Sequence, residues 1–117
     1  MADDHLIYKI TPRKDWLKAE AAGHFLGAQV DLQDGFIHFS TAGQASETAA
    51  KHFAGQDDLL LVAVRIAELG DALRWEVSRG GALFPHLYAK LPMDAVEWAR
   101  PMPLGDDGVH FLPLDDT

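Results

Sequence analysis

The chain has 117 residues, 48% of them hydrophobic and 24% charged, with no cysteine and a formal net charge of −8. Those values describe one soluble globular domain over residues 1–117, with enough chain for a single ordinary core. They exclude disulfides and thiolate zinc sites, and they argue against duplex nucleic acid as a partner, because phosphate neutralisation supplies most of that affinity.

No apolar run approaches the roughly 20 residues that span a bilayer. The opening Met1-Ala2-Asp3-Asp4-His5 lacks the basic and apolar regions of a signal peptide. A cytoplasmic location without a membrane partner is therefore the expectation. Part of the acidity is local, in Asp3-Asp4, Asp106-Asp107 and Asp115-Asp116, so a small positive pocket is compatible with the overall charge.

In chain order, Leu6-Ile7-Tyr8-Lys9-Ile10 reads as a first strand. Thr11-Pro12 marks a helix start, Thr at the N-cap and Pro at the first helical position. The helix is predicted over Arg13 to Ala22, burying Trp16 and Ala19 and stopping at Gly23. His24 to Leu32 is a connection holding a short strand or turn, and Asp34-Gly35 is a tight-turn signal. Gly35 to Gln44 then reads as a short strand running into a helix. Alternation sets Ile37 and Phe39 on one face, with Phe36, His38 and Ser40 on the other. Thr41 and Gln44 have capping-box spacing.

The second helix is predicted from Ala42 to about Phe53, with an apolar stripe of Ala45, Ala49 and Phe53 and a stop at Gly55. Leu59 to Val64 is nearly continuous apolar sequence and predicts a central strand buried on both faces. Leu73 to Ser78 alternates, with Leu73, Trp75 and Val77 expected inward and Arg74, Glu76 and Ser78 opposite. Arg79-Gly80-Gly81 turns the chain. Leu83 to Lys90 alternates again, placing Phe84, His86, Tyr88 and Lys90 on one face. Ala95 to Ala99 makes a further strand, and Val109 to Leu112 a short edge strand. No internal repeat or linker interrupts this order. Two early helices and several late strands predict an α+β domain with mostly antiparallel pairing.

His38 and Ser40 are the leading candidates for chemistry. They share the face of a strand that ends where Thr41 opens a helix, a place suited to a polar or anionic ligand. The plainer reading is a strand histidine bonded to backbone. In Phe84-Pro85-His86-Leu87-Tyr88, Tyr88 can stack on a flat ligand and His86 can donate or accept, though amphipathic rims of this kind are common. Glu76 can hydrogen-bond a ribose hydroxyl or face a developing positive charge; equally, it can pair with Arg74 or Arg79 in solvent. Arg79 beside two glycines can hold a phosphate, and Lys9 is a further cation. There is no dinucleotide fingerprint, no phosphate loop and no nucleophile elbow. The six histidines lack metal-ligand spacing, so no metal site is predicted.

Taken together, Ile7 to Ile10, Trp16, Asp34 to Thr41, Thr48-Ala49, Trp75-Glu76, Arg79 to Gly81 and Phe84 to Tyr88 resemble the bacterial domain of unknown function 952. The similarity spans nearly the whole chain. That family is similar in fold to ADP-ribosyltransferases and RNA 2′-phosphotransferases. The resemblance implies split antiparallel sheets flanked by two main helices, with a nicotinamide-dinucleotide cleft between them. It implies NAD or a ribosyl phosphate as substrate, with no covalently bound cofactor. Glu76 and His38 would be catalytic, and Lys9, Ser40, Thr41, Arg79, His86 and Tyr88 would bind the ligand. Lys9 departs from the residue usual at its place, and His86 competes with Glu76 for the late-strand position. A non-catalytic nucleotide sensor or binding module is the alternative, and fold by itself does not choose between them.

Overall fold

The computed structural model describes residues 5–114, the Arg79 side chain excepted; Asp3-Asp4 and Asp115-Asp116 lie outside that range. In chain order the elements are β1 (Leu6–Pro12), α1 (Arg13–Ala22), β2 (His24–Phe25), α2 (Gln29–Asp34), β3 (Ile37–His38), α3 (Ala42–His52), β4 (Leu59–Arg65), β5 (Leu73–Val77), β6 (Leu83–Leu87), β7 (Leu91–Pro92) and β8 (Val96–Pro101). The fold is α+β, with every strand pairing antiparallel.

The apolar run becomes β4, flanked by β1 and β8 in a three-stranded sheet. It is apolar throughout because both faces are covered. Leu60, Val62 and Val64 join Ile7, Trp16, Phe25, Ile37 and Phe39 on one side. Leu59, Leu61 and Ala63 join Leu6, Tyr8, Ile10, Ala49 and Met102 on the other. A second three-stranded sheet has the order β3-β6-β5, and β2 pairs with β7. The two larger sheets touch where Tyr8 and Ser40 exchange backbone hydrogen bonds, each 2.8 Å long. Residues on both sides of that bridge, with others from α3, line a cavity.

The first helix has the expected bounds. It buries Trp16 and Ala19 and ends at Gly23, whose φ of +88° needs a residue without a Cβ. Its start differs from expectation. Pro12 is still paired with Leu59, so the strand runs to the helix and Pro12, not Thr11, flanks it. Thr41 and Gln44 do form a capping box at the head of α3.

Among the described residues three α-helices form rather than two, because the connection after β2 contains α2. Gly35, at φ +87°, ends that helix and is not part of a hairpin. At the C-terminal end Leu104 and His110 form an isolated bridge in place of the expected edge strand. The largest correction concerns β5. Trp75 is 43% and Val77 69% exposed, since β5 is the outermost strand and its far end extends past the core. Only the end at Leu73, opposite the buried Leu87, reaches it.

Candidate functional site

The cavity lined by both larger sheets has a volume of about 440 Å³, within the roughly 300–1,000 Å³ range of small-molecule sites. Tyr8, Lys9 and Ile10 of β1 line it together with His38 and Ser40. Thr48, His52 and Phe53 come from α3, Phe84 and His86 from β6, and Asp34 from the end of α2. The period-two arrangement of strands explains the pairing: Phe84 and His86 project from the same face of β6, and His86 lies directly across the ladder from His38.

Asp31 lies behind this lining, where it anchors Lys9 and His38. It is buried within α2 at 2% exposure, and Lys9 at 5%. Lys9 Nζ lies 3.0 Å from Asp31 Oδ1 and 2.9 Å from Oδ2. His38 approaches Oδ1 with ring Nδ1 at 2.6 Å and donates its backbone N–H to the same oxygen at 3.1 Å. The Ala28 N–H donates to Oδ2 at 2.7 Å. Burial by itself would raise the Asp31 pKa. The His38 hydrogen bond and the charge and hydrogen bond of Lys9 outweigh it and bring the value to about 2. Burial pushes the Lys9 ammonium below its ordinary value, against the opposing pull of Asp31.

The second ring nitrogen of His38, Nε2, meets Asp34 Oδ2 at 2.9 Å. The imidazole is thus held between two carboxylates, an arrangement in which both nitrogens donate only in the imidazolium form. His86 is fixed differently. Its Nδ1 lies 2.8 Å from Glu76 Oε1, and the same oxygen accepts the Tyr88 hydroxyl at 2.6 Å. The Tyr88 bond, then the His86 bond, lower the Glu76 pKa, and Glu76 in turn raises that of Tyr88. Phe36 stacks on the His86 ring with centroids 4.2 Å apart. The rings of His38 and His86 stand edge to face at 5.5 Å.

Of the residues expected from sequence, Lys9, His38, Ser40 and His86 line this cavity together. Glu76 connects to it through His86. Tyr88 borders a smaller hollow of about 250 Å³ with Phe36 and Leu32. Thr41 is engaged in capping: its Oγ1 accepts from Gln44 N–H and its N–H donates to Gln44 Oε1. The Arg79 side chain lies outside the described residues. Ser40 hydrogen-bonds Thr48 at 2.9 Å and not a histidine, so it is not set up as an activated nucleophile. Sequence reasoning passed over Asp31, Asp34 and His52. The one local signal for Asp31 is an acid set between Val30 and Leu32, where a short amphipathic helix would be apolar.

Fold and site together define an α+β domain whose two larger sheets contribute to a cleft lined by carboxylate-anchored histidines. The chain matches the family described as "Protein of unknown function (DUF952)" over residues 10–99 and belongs to it. The crystal structure of protein CC0527 from Caulobacter crescentus is similar at 53% identity with a TM-score of 0.86, covering 90% of this chain and 92% of that one. Its solution NMR structure is similar at a TM-score of 0.81, covering 90% of each chain. No curated protein matches the chain. Among the described residues, no helix is long and apolar enough to cross a membrane.

Proposed function

We propose that the cleft binds a nucleotide-type ligand, NAD or a ribosyl phosphate, and acts on it as an ADP-ribosyl- or 2′-phosphate-transferase-like enzyme with the matching fold. The observation that carries this reading is the pair of imidazoles. His38 and His86 enter one cavity from adjacent strands, each oriented by a carboxylate at 2.6 to 2.8 Å. A carboxylate on one ring nitrogen fixes the orientation of the other, which suits an imidazole for moving a proton or holding an oxyanion. Phe53 and Phe84 offer flat apolar walls for a base, while Ser40 and Tyr8 offer hydroxyls for a ribose.

In this reading the second ring nitrogen of His86, Nε2, faces the bond that breaks, and His38, its ring nitrogens held by Asp31 and Asp34, fixes the adjoining wall of the cleft. Glu76 is a positioning residue acting through His86. Cleaving a ribosyl bond develops oxocarbenium charge, and the His86–Glu76 pair supplies compensating negative potential from behind the ring.

The non-catalytic reading has its own support: Glu76 Oε1 is already engaged by His86 and Tyr88, which withdraws the carboxylate from direct contact with a ligand. Isothermal titration with NAD, ADP-ribose and a 2′-phosphorylated RNA end tests the proposal. Binding that disappears in His38→Ala, together with turnover that disappears in Glu76→Gln while binding persists, supports the enzyme. Binding without turnover supports the sensor. No heat with any of the three ligands overturns both.

A further inference from the structure

Among the described residues the strand β5 ends its sheet, hydrogen-bonded to β6 alone. Two bonds set the phase of that ladder. The Tyr88 N–H donates to the Ala72 carbonyl at 2.8 Å, and the Ser78 N–H donates to the Ala82 carbonyl at 2.9 Å. Ala72, Arg74, Glu76 and Ser78 therefore turn their backbone groups toward β6, and Leu73, Trp75 and Val77 turn theirs to the open edge. Pro85, opposite Trp75, obeys the same phase, its carbonyl accepting from Phe39 N–H on the far side at 3.0 Å.

An open edge with unpaired N–H and C=O groups is a template for another strand. Natural edges are usually protected by charged residues, proline or bulges; β5 has no lysine, proline or bulge, and its two charges, Arg74 and Glu76, are of opposite sign. It exposes Trp75 and Val77 instead, with Leu83 exposed beside Val77.

The residue order within β5 selects the partner. Pairing two copies antiparallel about a two-fold axis through Trp75 sets Trp75 against Trp75, Leu73 against Val77, and Arg74 against Glu76. Each outward backbone group then meets its complement, apolar side chains share one face, and opposite charges meet on the other. Slipping the register by one residue destroys both the hydrogen bonding and the charge match. Glu76 has a carboxylate oxygen to offer, since His86 and Tyr88 both engage Oε1.

We infer that the β5 edge pairs with the same strand of a second copy, making a two-fold dimer with a continuous sheet across its centre. Arg74 of the partner subunit then meets Glu76 Oε2, so each Glu76–His86 pair receives a guanidinium from across the axis. The inference does not depend on the ligand or on whether the cleft is catalytic.

Sedimentation equilibrium from micromolar to millimolar concentration should give twice the chain mass at the upper end. Arg74→Glu sets like charges opposite each other twice and should raise the dissociation constant about tenfold or more. Register is read by crosslinking, which is clean because the chain has no cysteine. Under oxidised glutathione, Trp75→Cys should form a symmetric disulfide, its Cα atoms lying about 5.5 Å apart across the axis. Val77→Cys should not, because two such residues are about 14 Å apart in this register. A monomer at every concentration overturns the inference and leaves the edge to some other extended chain or to water. So does a dimer that ignores Arg74→Glu, or one that crosslinks through Val77→Cys and not through Trp75→Cys. Circular dichroism of each variant separates misfolding from dissociation.

Discussion

Replacing Asp31 by asparagine should be among the most damaging single changes in this protein. The carboxylate takes donors from Lys9, from the His38 ring and backbone, and from Ala28, all at 2.6 to 3.1 Å. An amide has one acceptor oxygen. In either orientation its NH2 confronts a donor, the Ala28 N–H on one side or the His38 pair on the other. Lys9 is left buried without a counter-charge, a situation that typically costs about 3–5 kcal/mol, a large share of the roughly 5–15 kcal/mol stability of a domain. Urea unfolding near neutral pH should record that loss. The double variant Lys9→Met/Asp31→Asn removes the stranded ammonium as well, and should recover about 2 kcal/mol relative to the sum of the singles. A loss below about 1 kcal/mol for Asp31→Asn, or single effects that simply add, would refute the reasoning.

The pH dependence gives a second reading of the same group. Folding lowers the Asp31 pKa from 3.8 to about 2, so the unfolded chain takes up this proton first as pH falls. The stabilisation is complete above about pH 5 and is lost as pH drops through about 2. At about 1.4 kcal/mol for each pH unit, it amounts to about 2.5 kcal/mol. The acid limb of the stability profile should flatten by that amount in Asp31→Asn.

Three further outcomes follow from the geometry. Gly27 has a φ of +122°, and a Cβ there would lie 2.7 Å from Asp31 Cβ; Gly27→Ala should cost about 2 kcal/mol or more in urea unfolding, and a neutral result would show that α2 shifts freely. Glu76→Gln should move the Tyr88 ionisation back down toward its ordinary 10, followed by phenolate absorbance against a Tyr88→Phe control; an unchanged midpoint would break the proposed link. Thr41→Ala removes the side-chain cap of α3 and should lower stability by about 1 kcal/mol with little change in fold, as judged by circular dichroism.

How far the residues announce their own arrangement varies along the chain. The extent of the first helix is legible though its cap is not, since an apolar face at Trp16 and Ala19 and a terminal glycine are local facts. The doubly covered strand at Leu59 to Val64 is legible because an unbroken apolar run has few other uses. His38 and His86 are legible as sharing a strand face with Ser40 and Phe84, but that they lie opposite each other depends on a long-range register. Helix α2 is hidden for a physical reason. Its buried residue is Asp31, a charge, and the hydrophobic periodicity that reveals other helices is missing from it. Trp75 and Val77 mislead because alternation reports a face and not its depth. β5 turns the expected face inward only at Leu73, after which the hairpin leaves the core behind.

A helix of six residues cannot sustain itself in water, and α2 stays wound around the carboxylate that also steers His38 and neutralises Lys9. The architecture of the candidate site and local folding are therefore one cooperative unit at this corner. Amide exchange across residues 28 to 38 should open in a single step, and whatever loosens the imidazole should unwind the helix with it.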